Sequence, residues 1–254
     1  MNLITFDIGN TSINTGIYVN DKLKITWRMS SDTKNKTAFY KKEILKHAKI
    51  EIHGAIISSV VPALDPLFNN LCLNLFGFKP LFVNYKNCGI KVKYNKPSVV
   101  GADRLVNAVA GKVMFGAPLI IIDFGTATTF DCIDKSGAYA GGAILPGIDM
   151  SLKALNHFTA KLPLVKFSKP KNIIGKNTIE SIKSGIYYGY TGSIIHFASN
   201  LKKTLKCDKI IATGGYANLI AKPLEISNVP DLTLHGLKII WENNKLNRKS
   251  GEDK

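Results

Sequence analysis

The first twenty residues set a pattern that the chain later repeats. Residues 2–9, NLITFDIG, are apolar up to Asp7, residues 14–20, NTGIYVN, are apolar again, and Gly9, Asn10 and Thr11 break the run between them. Two apolar stretches around a short polar interruption predict a β-hairpin. Residues 36–49 (KTAFYKKEILKHAK) read as a helix, 52–62 (IHGAIISSVVP) as a buried strand with a turn, and 65–76 (DPLFNNLCLNLF) as a second helix. In 102–113 (ADRLVNAVAGKV), Leu105, Val106, Val109 and Val113 recur at helical spacing.

At residue 118 the pattern starts again with PLIIIDFGTATTFDCIDKSGAY, which sets Asp123, Gly125 and Thr126 opposite Asp7, Gly9 and Asn10 at a constant offset of 116. A long helix over 179–205 follows, then a strand in 209–216 (KIIATGGY) that answers AIISSVV at 55–61. Such a repeat predicts two similar α/β halves, 1–116 and 117–254, with the last dozen residues either disordered or packed back on the body.

Composition narrows the class. With 254 residues, 45% hydrophobic and 20% charged, the chain is a folded protein and not a disordered one. No apolar stretch approaches the ~20 residues of a membrane helix, and Asp7 interrupts the amino terminus too early for a signal peptide. The cytoplasm is therefore the expected location, with no membrane partner. Cys72, Cys88, Cys132 and Cys207 are far apart, without a CxxC or zinc-site histidines, and are expected as buried thiols. The net charge of +16 gathers in acid-free segments: 85–97 (Lys86, Lys91, Lys93, Lys96) and 161–176 (Lys161, Lys166, Lys169, Lys171, Lys176). Such charge raises nucleic acid as a partner, but a solvated, lysine-rich surface is the simpler reading and is preferred here.

An apolar strand ending in Asp-x-Gly, then small polar residues and a second strand, makes a tight turn in which glycine permits positive φ and backbone N–H groups converge. Such a turn can hold phosphate, while the aspartate can hold Mg²⁺ or its bound water. One turn would be weak evidence; two in register suggest a triphosphate gripped from both sides. Neither GxxxxGK[ST] nor GxGxxG occurs.

These residues resemble the superfamily of acetate and sugar kinases, actin and heat-shock chaperones. Within it, DIGNT at 7–11, VVGADRLVNAVA at 99–110, IIDFGTATTFD at 121–131, GGAILPG at 141–147 and ATGGYA at 212–217 have the order and approximate spacing of type III pantothenate kinase. The resemblance implies two ribonuclease-H-like (actin-like ATPase) domains with mixed sheets flanked by helices. It also implies transfer of the γ-phosphoryl of ATP to the 4′-hydroxyl of pantothenate, opening coenzyme A synthesis, in a homodimer using Mg²⁺ and K⁺ or NH₄⁺.

The same resemblance makes Asp103 the base toward the substrate hydroxyl, where a loose transition state asks mainly for orientation. The helix dipole alone would also favour an acid there. Gly101, Ala102, Arg104, Tyr94 and Thr178 are implied to meet pantothenate; surface pairing for Arg104, packing for Tyr94 and helix capping near Thr178, with Asn177 and Glu180 as a capping-box variant, are the plainer readings. Asp7, Ile8, Gly9, Asn10, Thr11, Ser12, Ile13, Asn14 and Thr126 are implied to contact ATP, Asp7 also facing Mg²⁺ through water. Asn14 stands where many relatives carry a basic residue. Asp123 is implied to bind the monovalent cation, which would offset a buried, unpartnered carboxylate. Thr213, Gly214 and Gly215 let the nucleoside approach the backbone, or simply end a strand. Ser181, Gly185, Gly189 and Gly192 form a small-residue stripe that suits a dimer helix or an intrachain one. A regulatory or nucleic-acid-associated protein on the same fold is the alternative, motivated by the charge and by the family's older name, Bvg accessory factor; a related small-molecule kinase is another.

Overall fold

The computed structural model of the chain describes residues 1–32, 34 and 37–252, and side chains through 246. Two compact units emerge: Met1–Met114 together with Leu232–Lys254, and Phe115–Asp231.

In the first unit, β1 (Asn2–Ile8), β2 (Ser12–Val19) and β3 (Lys22–Ser30) form an antiparallel meander. After α1 (Thr37–His47), β4 (Gly54–Ser59) pairs parallel to β1; after α2 (Asp65–Phe76), β5 (Leu81–Phe82) pairs parallel to β4. The strand order is β3-β2-β1-β4-β5, and α3 (Ala102–Phe115) closes the chain's first pass. Alternate residues of β1, Ile4, Phe6 and Ile8, pack with Ile13 and Ile17 of β2 against Tyr40 and Ile44 of α1 and Phe68 and Leu71 of α2. The rings of Phe6 and Phe68 meet edge-on at 5.2 Å.

The second unit repeats the plan with β6 (Leu119–Phe124), β7 (Ala127–Ile133), β8 (Tyr139–Pro146), α4 (Ile148–His157), α5 (Thr178–Leu205), β9 (Ile210–Thr213), the short α6 (Ala217–Ile220) and β10 (Ser227–Asn228). Its order, β10-β9-β6-β7-β8, with β9 parallel to β6 and β7 antiparallel to it, matches the first sheet strand for strand. The offset of 116 residues thus superposes β1 on β6 in topology. Ile122, Phe124 and Phe130 pack against Ile148 and Leu152 of α4 and Tyr187, Tyr190 and Ile194 of α5.

The last helix, α7 (Leu232–Glu252), differs from the sequence-based division, which put all of 117–254 in the second half. It returns to the first unit because its partners lie there. Leu232, Leu234, Leu237 and Ile240 are buried, Thr233 Oγ1 donates to Asn107 Oδ1 at 2.8 Å, and Trp241 lies where a Cβ on Gly54 would come within 2.2 Å of its ring. Gly236 likewise lets α7 reach α3, since a Cβ there would stand 2.3 Å from the Val106 carbonyl oxygen. Residues 243–252 continue this helix, while the side chains beyond 246 and residues 253–254 lie outside the described residues, as does Lys36 of the expected first helix.

All four cysteines are free and buried. Among the described residues no helix is long and apolar enough to cross a membrane. The nine lysines of the two acid-free segments are all exposed.

Candidate active site

The first turn closes β1 onto β2 through the pairs Asp7↔Asn14 and Ile8↔Ile13, leaving Gly9, Asn10 and Thr11 as the connection into Ser12. Gly9 N–H donates to the Ser12 carbonyl at 3.1 Å. Asn14 Nδ2 donates to Asp7 Oδ2 at 3.3 Å, so Asn14 steadies the acid of the turn. Neither Gly9 nor Gly125 has a positive φ, contrary to the expectation for these turns. Space explains Gly9 instead: a Cβ would stand 3.2 Å from the Ser12 oxygen.

Beside this turn ends β4, with Asp7↔Ser58 and Ile8↔Ser59 in register and Val60 N–H donating to the Ile8 carbonyl at 3.0 Å. A Cβ on Gly101 would contact Val60 at 3.5 Å, which sets GADR, residues 101–104, at the carboxyl ends of the parallel strands β1 and β4, where open α/β sheets bind ligands. Asp103, in the first turn of α3, folds its carboxylate back so that Oδ1 accepts the Arg104 N–H at 2.8 Å and passes 2.5 Å from the position of a Gly101 Cβ. Burial pushes the Asp103 carboxyl above the usual range, opposed by the Arg104 amide and guanidinium. Arg104 is only 7% exposed, which removes the surface-pair reading, and Ala102 is buried too. Tyr94 is exposed on the loop between β5 and α3.

In the second unit Asp123 ends β6, opposite Thr129 of β7 and beside Thr213 of β9. It is half-buried and engaged rather than sealed and unpartnered, so desolvation alone does not demand a cation. A glycine cradle surrounds it instead. A Cβ on Gly125 would stand 3.3 Å from Asp123 Oδ1; one on Gly214, whose φ is +94°, would stand 2.5 Å away and strike the Phe124 backbone. Gly147 opens a second close approach, to the Thr126 carbonyl oxygen at 2.0 Å from a would-be Cβ. Glycine is required at these positions because the Asp123 carboxylate and the neighbouring backbone pack directly against them, and the carboxylate oxygens are the donor type that hard cations take.

Asn177 caps α5: its Oδ1 accepts the Glu180 N–H at 2.9 Å, and Glu180 Oε2 accepts the Lys176 N–H at 2.9 Å, the expected capping-box variant. Thr178, the first helical residue, is exposed and does not serve as the cap. Gly185, Gly189 and Gly192 have no atom within 4 Å of a would-be Cβ, so the small-residue stripe packs on no other helix of the described chain. Sequence reasoning passed over Ser58 and Ser59, read only as strand, and Gly147, quoted in GGAILPG without a role.

Residues 3–200 match the model of the type III pantothenate kinase family. Type III pantothenate kinases of Geobacillus kaustophilus (strain HTA426) and Geobacillus thermodenitrificans (strain NG80-2) are 44% and 43% identical over 252 residues, 95% of this chain and 98% of theirs. The chain belongs to the type III pantothenate kinase family. In fold, this pantothenate kinase is similar to a Campylobacter jejuni protein described as a Baf family transcriptional activator, with a TM-score of 0.63, 20% identity and coverage of 95% and 98% of the two chains. MreB 5 of Spiroplasma citri bound to AMPPNP gives 0.53 with 13% identity, covering 98% of each. Both carry the actin-like ATPase fold of two ribonuclease-H-like domains, which this pantothenate kinase shares.

Proposed function

We infer that this kinase phosphorylates pantothenate with ATP to 4′-phosphopantothenate, the first step of coenzyme A biosynthesis. The observation that carries the reading is the family match across GADR and both Asp-x-Gly turns, with GADR seated at the strand ends. Asp103 orients the 4′-hydroxyl and accepts its proton late, a role in which position outweighs basicity. Its raised pKa nevertheless makes it a better base than a solvent-exposed aspartate. Gly101, Ala102, Arg104, Tyr94 and Thr178 hold pantothenate, Arg104 offering a guanidinium of fixed geometry. Residues 7–14 and Thr126 bind ATP.

Mg²⁺ would be held by Asp7 through water and chiefly by phosphate oxygens, since no group of three or more metal-ligating side chains occurs among the described residues. K⁺ or NH₄⁺ would sit at Asp123, whose carboxylate oxygens are the donor type such cations take. Bound there, the ions supply positive charge that offsets the charge of the triphosphate. A homodimer formed through the open face of α5, where Gly185, Gly189 and Gly192 alternate with the exposed Tyr188 and Ile195, fits the stripe, and a cytoplasmic location fits the substrates.

The test is a product assay: purified protein with pantothenate, ATP, Mg²⁺ and K⁺ should yield 4′-phosphopantothenate, and a lack of product under all four would overturn the function. Light scattering of wild type and Gly189→Arg should show a dimer and a monomer; a monomeric wild type would remove the dimer.

A further inference from the structure

The second unit carries a clasp outside the roles assigned so far. Tyr216 follows the two glycines of ATGGYA, and its O–H donates to Asp149 Oδ1, in the first turn of α4, at 2.6 Å. Its ring meets that of the buried Phe167 edge-on at 5.2 Å. Burial, and then the Asp149 carboxylate, push the Tyr216 hydroxyl up to about 12, so it stays a donor across the neutral range. Asp149 stands two residues after Gly147, where α4 presses so closely on the second turn that a Cβ would lie 2.0 Å from the Thr126 carbonyl oxygen and 2.9 Å from that of Gly125. Ile148, between the two, is buried in the core with Phe124 and Phe130.

We propose that Asp149 and Tyr216 are positioning residues for ATP: their hydrogen bond ties the nucleoside loop, residues 213–215, to the helix that is seated on the phosphate turn. The loop needs such a tie. Gly214 and Gly215 stand in succession, and glycine loses more backbone freedom on ordering than any other residue. Upstream, Thr213 is held in register beside Asp123 by the sheet. Downstream, Asp149 and Phe167 hold Tyr216. With both ends fixed the loop is ordered before the nucleotide arrives, and binding does not have to order it. Because α4 also bears on Thr126, the clasp keeps the nucleoside loop and the phosphate turn at one separation, the one ATP has to span. A bond that only fastened α6 to α4 would add to stability and leave nucleotide affinity alone.

The proposal rests on the assignment of the ATP phosphates to the Thr126 turn and of the nucleoside to residues 213–215, and the experiment separates the two. Wild type, Tyr216→Phe, Asp149→Ala and Asp149→Asn are titrated calorimetrically with AMPPNP and Mg²⁺, and their steady-state kinetics and melting midpoints are measured. Tyr216→Phe, which keeps the ring on Phe167, and Asp149→Ala should each raise the Kd for AMPPNP and the KM for ATP about fivefold, the scale of one hydrogen bond. Both should keep kcat and the KM for pantothenate within about twofold of wild type. Asp149→Asn, whose side-chain oxygen still accepts the hydroxyl, should recover most of the affinity. Tyr216→Phe combined with Asp149→Ala should bind no more weakly than either alone, since each removes the same bond. Tyr216→Phe decides the matter if Asp149→Ala does not fold. A lowered melting midpoint with wild-type affinity for AMPPNP overturns the positioning role and leaves the ATP site standing, as does an equal rise in KM for both substrates. A wild type that does not bind AMPPNP overturns both.

Discussion

Gly101→Ala offers the sharpest probe of how Asp103 works. The added methyl would stand 2.5 Å from Asp103 Oδ1, against the 3.4 Å at which ordinary van der Waals contact begins, so the carboxylate must retreat by about 0.9 Å. The obstacle is the end of a side chain and not backbone, so the fold adapts by rotating Asp103. The loss in stability should stay near the single hydrogen bond to the Arg104 N–H, about 1 kcal/mol. Catalysis is less forgiving, because misplacing a reacting group by about 1 Å costs roughly 10²-fold, close to 2.7 kcal/mol of barrier. Steady-state kinetics should therefore show kcat down about 10²-fold while denaturant melts move little. In an Asp103→Asn background the same alanine should add almost nothing, since the two changes disable one group. A Gly101→Ala enzyme with kcat within about twofold of wild type would refute the reasoning, as would full additivity in the double variant.

Asp103→Asn should itself lower kcat by about 10²- to 10⁴-fold, with product formation as the readout. Its effect on stability has the opposite sign: the native state holds the Asp103 proton more tightly than the unfolded chain, so stability is fully present below the unfolded pKa of about 3.9 and falls as pH rises through the raised native value. Asparagine, whose oxygen can still accept the Arg104 N–H, should melt no lower than wild type at pH 7 and lose the pH-dependent fall; a lower melting point there would contradict the burial argument. For Gly54→Ala, whose Cβ would sit 2.2 Å from the Trp241 ring, overpacking should cost about 1–3 kcal/mol, and calorimetry showing an unchanged midpoint would speak against the docking of α7. Asn177→Ala should lose about 1 kcal/mol by denaturant titration through the orphaned first turn of α5. Burial pushes the Cys72 thiol up to about 12, so it should resist a thiol reagent at pH 8 until the protein unfolds; rapid labelling of the native state would count against that.

The parts of this structure visible in the residues are those whose partners lie close in sequence. The hairpins around Asp7 and Asp123 announce themselves because strand, turn and strand are contiguous, and the capping of α5 is written in Asn177 and Glu180. The strand β3 was readable too and was passed over: Leu23, Ile25, Trp27 and Met29 alternate with polar residues at the period of a half-buried strand, and that alternation is what the sheet edge shows. The placement of α7 depends on Gly54, Gly236 and Trp241, separated by nearly the whole chain, and no local periodicity records such a contact. In the site, GADR and the aspartates were readable by resemblance. The reason for glycine at 101, 125 and 214 was not, because it lies in where a carboxylate oxygen rests and not in the turn type.

The return of α7 also has a consequence for synthesis. The first unit is written in two instalments, with the whole second unit between them, so a ribosome delivers Phe115–Asp231 complete while the first sheet still lacks its final helix. Premature termination near residue 231 would accordingly leave the later-encoded body intact and the earlier-encoded one bare along Gly16, Gly54 and Val106, which α7 would have covered.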